Sequence, residues 1–304
     1  MSILFPHSLI CADTYPNGDS ELREDAGLVT SSLDAARAEL RKIRSDLKTA
    51  HDVQCRSLPS RLARIPGLDY HGECLPAGEV GGDFFDFIPL RNRAMVAAVG
   101  DVSGNGIGAA LMMSSLQAFL RGLTGDGREE TARVVRDLNR RVCEMSPDNF
   151  YASLFYARID PLEQRLHFIN AGHEPALLVR KRGLRAHRLE STGTVLGLTG
   201  HAAYRQRTMP LEPGDVLVLL TDGVTEAVDA TGRELSDADV LDVVRRQPDA
   251  RASQMVEQIV DAVDRFTNHS RPADDRTVAV VRFTGMERET EFESRAAEVA
   301  FAAA

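Results

Sequence analysis

Between Ala26 and Ala50 the apolar residues recur at alternating steps of three and four. They are Ala26, Val29, Leu33, Ala36, Leu40, Ile43, Leu47 and Ala50. This spacing predicts a helix with one apolar stripe, and the charged residues beside it are typical of a short coiled coil. Pro59 and Pro66 predict the end of the helix. We expect homodimerisation through residues 26–54, or docking of a regulator; packing of this helix on its own domain is the alternative.

From about residue 67 the pattern changes to short apolar runs separated by turn residues. It predicts strands at 95–99, 151–157, 165–170, 175–180, 215–221 and 277–283, and helices at 107–123, 131–144, within 236–246 and within 251–266. Consecutive strands joined by tight turns predict an α+β fold with mostly antiparallel sheets covered by helices.

Four segments follow from these changes in pattern. We predict an N-terminal arm over 1–24, a heptad helix over 25–58, one main domain over 59–284 and a C-terminal tail over 285–304. The chain length of 304 residues, with 43% hydrophobic residues, is enough for one large domain with extensions.

Charge and cysteine content exclude several classes of function. A net charge of -9 argues against a nucleic-acid-binding protein, which needs clustered Lys and Arg. No apolar run approaches the roughly 20 residues of a membrane-spanning helix, and the first residues lack the features of a secretory signal. We therefore expect a cytoplasmic protein without membrane contact. The four cysteines show no Cys-x-x-Cys spacing and predict no zinc site.

Aspartates follow glycines or short apolar runs at four places in the main domain. They are Asp83, Asp101, Asp222 and the pair Asp274 and Asp275. Clustered carboxylates in a low dielectric oppose folding unless a cation lies among them. Oxygen ligands without His or Cys favour Mg²⁺ or Mn²⁺ over zinc. Two such ions about 3.5–4 Å apart suit an in-line attack of water on phosphorus, which predicts a hydrolase.

Other interpretations of these motifs exist. Any single Gly-Asp pair is more often a turn, and only the presence of four in one domain favours a shared site. The glycines Gly104, Gly106 and Gly108 resemble part of a dinucleotide-binding loop. Asp101 speaks against that interpretation, because its carboxylate repels a pyrophosphate unless a metal intervenes.

Five motifs in order resemble the bacterial PPM-type serine/threonine phosphatases of the SpoIIE-like and RsbU-like branch. They occupy 79–86, 100–104, 170–175, 221–223 and 274–277. The resemblance covers essentially all of 50–283. It implies an αββα sandwich of two mostly antiparallel sheets flanked by helices, with two Mn²⁺ or Mg²⁺ ions at one edge.

The resemblance also implies roles for individual residues. Asp101 resembles the carboxylate shared by both metals, and the backbone carbonyl of Val102 resembles a ligand to one of them. Asp83 resembles the residue that holds a metal or its bound water. Asp222 and Asp274 resemble the remaining ligands, so these four aspartates form the expected catalytic set.

Some roles stay open at this stage. Asp275 is either an alternative metal ligand or the residue that orients Asp274. Ser103 stands where the eukaryotic relatives have a histidine, so the group that protonates the leaving oxygen is not identified. No basic phosphate-binding residue is apparent upstream of Asp83. His173 either takes part in the chemistry or belongs to a structural turn over 170–175.

The resemblance implies hydrolysis of phosphoserine or phosphothreonine on a protein by direct attack of an activated water, with no phosphoenzyme. By family analogy the substrate is a phosphorylated STAS-type anti-sigma-factor antagonist in a partner-switching pathway. A separate activator protein or self-association is expected to supply control. The alternative is a catalytically silent PPM-fold module that binds a phosphoprotein.

Overall fold

The structure, a computed structural model, describes residues 18–125, 127, 130–146, 150–182 and 185–286, with side chains from residue 31 onward. The chain divides into two units, one up to Thr49 and one from Ala50. Most of the predicted arm and of the predicted tail lies outside the described residues. Within the described part, no helix has both the length and the apolar character needed to cross a membrane.

One long helix carries the heptad pattern. Helix α1 spans Gly18–Ser57 and ends just before Pro59. The side chains of Leu33, Leu40 and Ile43 on its apolar stripe are 52%, 54% and 47% exposed. A helix of this length with an exposed apolar stripe needs a covering partner for full burial of that stripe.

Two antiparallel sheets of five strands each form the centre of the second unit. The strands are β1 Leu68–Leu75, β2 Asp83–Pro89, β3 Met95–Val102, β4 Ala152–Asp160, β5 Arg165–Ala171, β6 Ala176–Val179, β7 Ala186–Leu189, β8 Arg207–Pro210, β9 Val216–Leu220 and β10 Arg276–Phe283. The strand orders are β1-β10-β9-β6-β7 and β2-β3-β4-β5-β8. The predicted class, two antiparallel sheets flanked by helices, is confirmed.

Five further helices belong to this unit. They are α2 Gly106–Thr124, α3 Thr131–Met145, α4 Asp222–Thr225, α5 Asp237–Arg246 and α6 Ala252–Phe266. Four of them match the predicted helices within one or two residues. The single turn α4 was not predicted, because an apolar period cannot be detected over four residues.

The core forms layers because both faces of each sheet are covered. On β3, Met95, Ala97 and Val99 face the space between the sheets, and the alternate residues Val96 and Ala98 face α2 and α3. The outer face of the other sheet packs on α5 and α6. Burial of both faces explains why β3 reads as a continuous apolar run rather than an alternating one.

Four strands were not predicted from the sequence. Strands β7 and β8 have four residues each, lie at sheet edges and carry exposed polar side chains. Strand β1 has only partial burial along most of its length, and β2 begins directly after Gly81 and Gly82, which suggested a loop. Asp83 therefore lies at the start of a strand.

A buried ion pair joins helix α2 to strand β2. The Asp86 side chain is fully buried, and Arg121 donates to it from Nε at 2.5 Å and from a terminal nitrogen at 2.9 Å. The Gln117 amide lies 3.5 Å from the same carboxylate. The pair fixes α2 against the strand that begins with Asp83.

We predict that Arg121→Gln lowers the free energy of unfolding by about 2 kcal/mol, because it leaves the buried Asp86 carboxylate without its cation. Half of the Arg121 side chain is exposed, so the loss is smaller than for a fully enclosed pair. Urea unfolding measures it. Adding Asp86→Asn to Arg121→Gln removes the unpaired carboxylate and should raise the free energy of unfolding again. A double variant that is less stable than Arg121→Gln alone would contradict the assignment of the loss to the Asp86 charge.

Candidate active site

A pocket of about 280 Å³ opens where the ends of both sheets meet. Four of the predicted metal ligands line it: Asp101, Val102, Asp222 and Asp274. The other lining residues are Ser103, Gly104, Tyr151, Ser153, Gly172, His173, Glu174 and Val195. No Lys or Arg is among these residues, so the described wall of the pocket is polar and acidic.

Strand pairing brings the acidic residues together from distant parts of the sequence. Asp101 is near the end of β3, and Asp83 on β2 is its Cα partner. Asp222 begins α4, with one residue between it and the end of β9, and Asp274 precedes β10, which pairs with β9. One sheet thus supplies Asp83 and Asp101, and the other supplies Asp222 and Asp274.

The electrostatics of this cluster are unfavourable without a cation. Burial, followed by the negative charges of Asp222 and Asp274, raises the pKa of Asp101 to about 7. Burial and the charge of Asp274 likewise raise the pKa of Asp222. Neighbouring negative charge thus opposes ionisation of Asp101 and Asp222, and a divalent cation in the pocket would reverse that effect.

The donor set fits a hard cation that keeps part of its water shell. Among the described residues, no group of three or more His, Cys, Asp or Glu side chains closes tightly enough to enclose an ion by itself. Mg²⁺ characteristically retains several waters and binds through one or two carboxylates. The carboxylates of an open acidic pocket suit this mode better than a closed cage.

Asp83 lies behind Asp101 and is not among the residues that line the pocket. Its side chain is buried, and its Oδ2 accepts hydrogen bonds from Thr221 and Thr277, both at 2.7 Å. Burial, then the Asp101 charge, raises the pKa of Asp83 well above its usual range. The two threonines, neighbours of predicted site residues, were missed by sequence reasoning although they stand within the motifs.

Asp275 is also buried and outside the pocket lining. Its Oδ1 accepts a hydrogen bond from the Ala77 backbone at 2.8 Å, and its Oδ2 accepts one from Gly82 at 2.7 Å. Its own backbone N–H donates to Asp274 at 2.8 Å. The Asp275 side chain thus holds the loop that leads into β2, and its backbone N–H contacts the Asp274 carboxylate.

Two motif glycines permit close backbone contacts around the cluster. A Cβ atom on Gly82 would lie 2.6 Å from the carbonyl oxygen of Val102, and one on Gly223 would lie 2.0 Å from that of Asp275. Both distances are too short for any side chain. The glycines therefore let two separate segments approach the chain next to Asp101 and next to Asp274.

The last turns of α1, within the second unit, contact the loop before β2. Gln54 is buried; its amide donates to the Gly81 carbonyl at 2.7 Å and accepts from the Gly81 N–H at 3.0 Å. His51 Nδ1 donates to the Glu79 carbonyl at 2.7 Å. The sequence did not predict these contacts. They hold the same loop that Asp275 contacts through Ala77 and Gly82.

The other residues of interest have defined positions. Ser103 is tied to Tyr151: its Oγ accepts from the Tyr151 N–H at 3.0 Å, and its N–H donates to the Tyr151 carbonyl at 2.9 Å. His173 reaches the pocket wall, while Ser153 and Glu174 line the pocket without having been predicted. Only strand register could have indicated Ser153, because no motif surrounds it.

Comparison with known proteins decides the family. The family model for Stage II sporulation protein E (SpoIIE) matches residues 91–284. The chain belongs to the SpoIIE family of PPM-type phosphatases. This confirms the family and the enzyme class, protein serine/threonine phosphatase, that the five motifs implied.

Individual relatives agree with this assignment. The phosphoserine phosphatase RsbU of Bacillus subtilis is 28% identical over 256 residues, covering 84% of this chain and 75% of RsbU. The phosphoserine phosphatase RsbP of the same organism is 24% identical over 209 residues, but the match covers only 50% of RsbP. The chain thus spans most of one relative and half of the other.

Solved structures share the fold. The RsbU and RsbW domains of a Mycobacterium tuberculosis protein match with a TM-score of 0.62 and 27% identity, over 74% of this chain and 62% of that one. The SiaA-PP2C domain of Pseudomonas aeruginosa matches with a TM-score of 0.72 and 22% identity, over 81% and 99%. The catalytic domain of the serine/threonine protein phosphatase PstP shares the fold at 17% identity, with a TM-score of 0.54 over 71% of this chain and 97% of that one, and is described in complex with 2 manganese ions.

We predict that Asp101→Asn stabilises the chelator-treated protein at pH 8. The raised pKa means that ionising Asp101 costs folding free energy, so this loss of stability is absent below pH 4 and grows as the pH rises to about 7. The variant should gain at least about 1.4 kcal/mol, the value of one pKa unit. Urea unfolding at pH 4 and pH 8 tests this, and an equal gain at both pH values would contradict it.

Proposed function

We propose that this phosphatase hydrolyses phosphoserine or phosphothreonine on a protein substrate, using two divalent cations, Mn²⁺ or Mg²⁺. The supporting observation is the convergence of Asp101, Asp222 and Asp274 on one pocket in which no described lining residue is basic. Carboxylates that raise one another's pKa in a partly buried site need a cation to be ionised together.

We assign the cations to the pocket carboxylates and to the backbone carbonyl of Val102. When bound, they would supply an activated water and the positive charge that a phosphoryl group requires. The pocket offers that group no Lys or Arg from its described wall, so phosphate binding depends on the cations.

The remaining acidic residues act as supports in this proposal. Asp83 faces its strand partner Asp101 and keeps its own position through Thr221 and Thr277. Asp275 holds Asp274 and the β1–β2 loop. Second ligand layers of this kind orient the groups that contact a metal.

Removing a pocket carboxylate should abolish activity. We predict that Asp101→Ala and Asp222→Ala each reduce hydrolysis of an aryl phosphate at saturating Mn²⁺ by about 100-fold or more, because each loses a cation ligand. A matched control is Asp242→Ala, which removes an exposed aspartate on α5. Release of the aryl alcohol is measured.

Two outcomes would count against the proposal. Activity that survives complete chelation would reject cation-dependent hydrolysis. A purified protein that binds a phosphoprotein but releases no phosphate with either metal would instead support the catalytically silent module.

The protein substrate is proposed from the relatives. RsbU and RsbP are phosphoserine phosphatases, and one structural neighbour combines an RsbU domain with an RsbW domain. We assign this chain a phosphorylated STAS-type antagonist as substrate, in a partner-switching pathway. The cytoplasmic location expected from the sequence stays a prediction.

Helix α1 is proposed as the regulatory element. Its stripe leaves Leu33, Leu40 and Ile43 about half exposed, which suits a second copy of the helix or an activator protein. Its last turns bind the loop before Asp83 through Gln54. A partner on the helix would thus have a physical connection to the site.

We predict that Leu40→Glu in the full chain converts a dimer into a monomer, because a charge in the stripe opposes its burial. Light scattering measures the mass. The control Lys42→Glu introduces a glutamate two residues from Leu40 on the same helix, but outside the apolar stripe. It should leave the mass measured for the wild-type protein unchanged. A wild-type chain that is monomeric would favour an activator protein as the occupant of the stripe.

A further inference from the structure

Ser153 and His173 form a hydrogen-bonded pair in the wall of the pocket. Ser153 lies on β4 and is the Cα partner of Asp101 on β3. Side chains of such partners project from the same face of the sheet, with Cβ atoms about 5 Å apart. Ser153 therefore presents its hydroxyl beside the carboxylate at the centre of the site.

The surrounding turn fixes His173. Its backbone N–H donates to Asn170 Oδ1 at 2.8 Å, and the Asn170 amide donates in turn to the Leu189 carbonyl at 3.1 Å. The His173 side chain is 6% exposed, and its Nδ1 lies 2.6 Å from Ser153 Oγ. Buried contacts therefore fix the position of the ring next to the serine hydroxyl.

The protonation state of the His173 ring decides which group donates in its hydrogen bond with Ser153. Burial lowers the pKa of His173 to about 4, so the ring is neutral and carries a single N–H. Nε2 has no hydrogen-bond partner among the described residues. In the tautomer with the proton on Nε2, Nδ1 accepts the Ser153 proton, and the oxygen lone pairs of Ser153 are left for the pocket.

We propose that Ser153 is a catalytic residue whose oxygen accepts a hydrogen bond from the attacking water, and that His173 positions it. The inference rests on the proposed hydrolysis by water. Ser103, the other serine of the wall, already accepts the Tyr151 N–H with its hydroxyl oxygen. A water held by Ser153 next to Asp101 has its proton directed away from the phosphorus and its lone pair available for attack.

The test uses the full chain, an aryl phosphate and Mn²⁺. Ser153→Ala should lower kcat about ten- to a hundredfold, with KM and the Mn²⁺ concentration for half-activation within about threefold of wild type. Ser153→Thr retains the hydroxyl and should keep most of kcat. The control is Thr124→Val on α2. It removes a buried hydroxyl that lies 3.4 Å from the hydroxyl of Tyr156, a residue of the same strand as Ser153, and it should leave kcat unchanged.

Substitutions of His173 test its positioning role. His173→Leu should reduce kcat as much as Ser153→Ala, and the double variant should lose nothing more, because both act on one hydroxyl. His173→Asn offers Oδ1 as acceptor in place of Nδ1 and should keep most of the activity. If His173→Leu does not fold, His173→Asn still tests whether an acceptor at this position is sufficient.

Three results would overturn the proposal. The first is a kcat of Ser153→Ala equal to that of the wild type, and the second is a recovery of that variant's kcat in excess Mn²⁺. The third is a double variant whose fold-loss in kcat equals the product of the losses in Ser153→Ala and His173→Leu. An inactive wild-type protein would instead reject the proposed function itself, so the two failures are distinguishable.

Discussion

Mutual repulsion of carboxylates in a partly buried pocket is the constraint on which this site depends. Burial and neighbouring negative charge raise the pKa values of Asp101 and Asp222, and the described wall supplies no Lys or Arg to offset them. A divalent cation in the pocket would favour the ionised form of both carboxylates. The stability of the fold comes from elsewhere, chiefly from three apolar layers and from backbone contacts around the acidic residues.

The two-sheet architecture is what makes the convergence possible. Neighbouring strands β2 and β3 place Asp83 beside Asp101, and β9 with β10 does the same for Asp222 and Asp274. Stacking one sheet on the other then joins two pairs that are far apart along the chain. Thr221, which follows β9, and Thr277 on β10 donate hydrogen bonds to Asp83 on β2 and so connect the two sheets directly.

Sequence patterns predicted much of this arrangement but not its supports. Apolar periodicity was sufficient for α2, α3, α5 and α6 because their buried faces are long, whereas four-residue edge strands carry too few residues to show a period. The motif carboxylates could be identified because a charge after an apolar run is unusual. The position of Ser153 beside Asp101 and the contact of Gln54 with Gly81 could not, since both depend on tertiary neighbours.

The Gln54 contact has a mechanical consequence. Both hydrogen bonds of its amide join the backbone of a single residue, Gly81. They therefore depend on where the end of α1 lies relative to that backbone and not on the side chains of the loop. A helix advances about 1.5 Å per residue, and a hydrogen bond tolerates only a few tenths of an ångström. Moving the end of α1 by one residue step would therefore break both bonds together, so the two contacts fix the position of this helix end relative to the loop before β2.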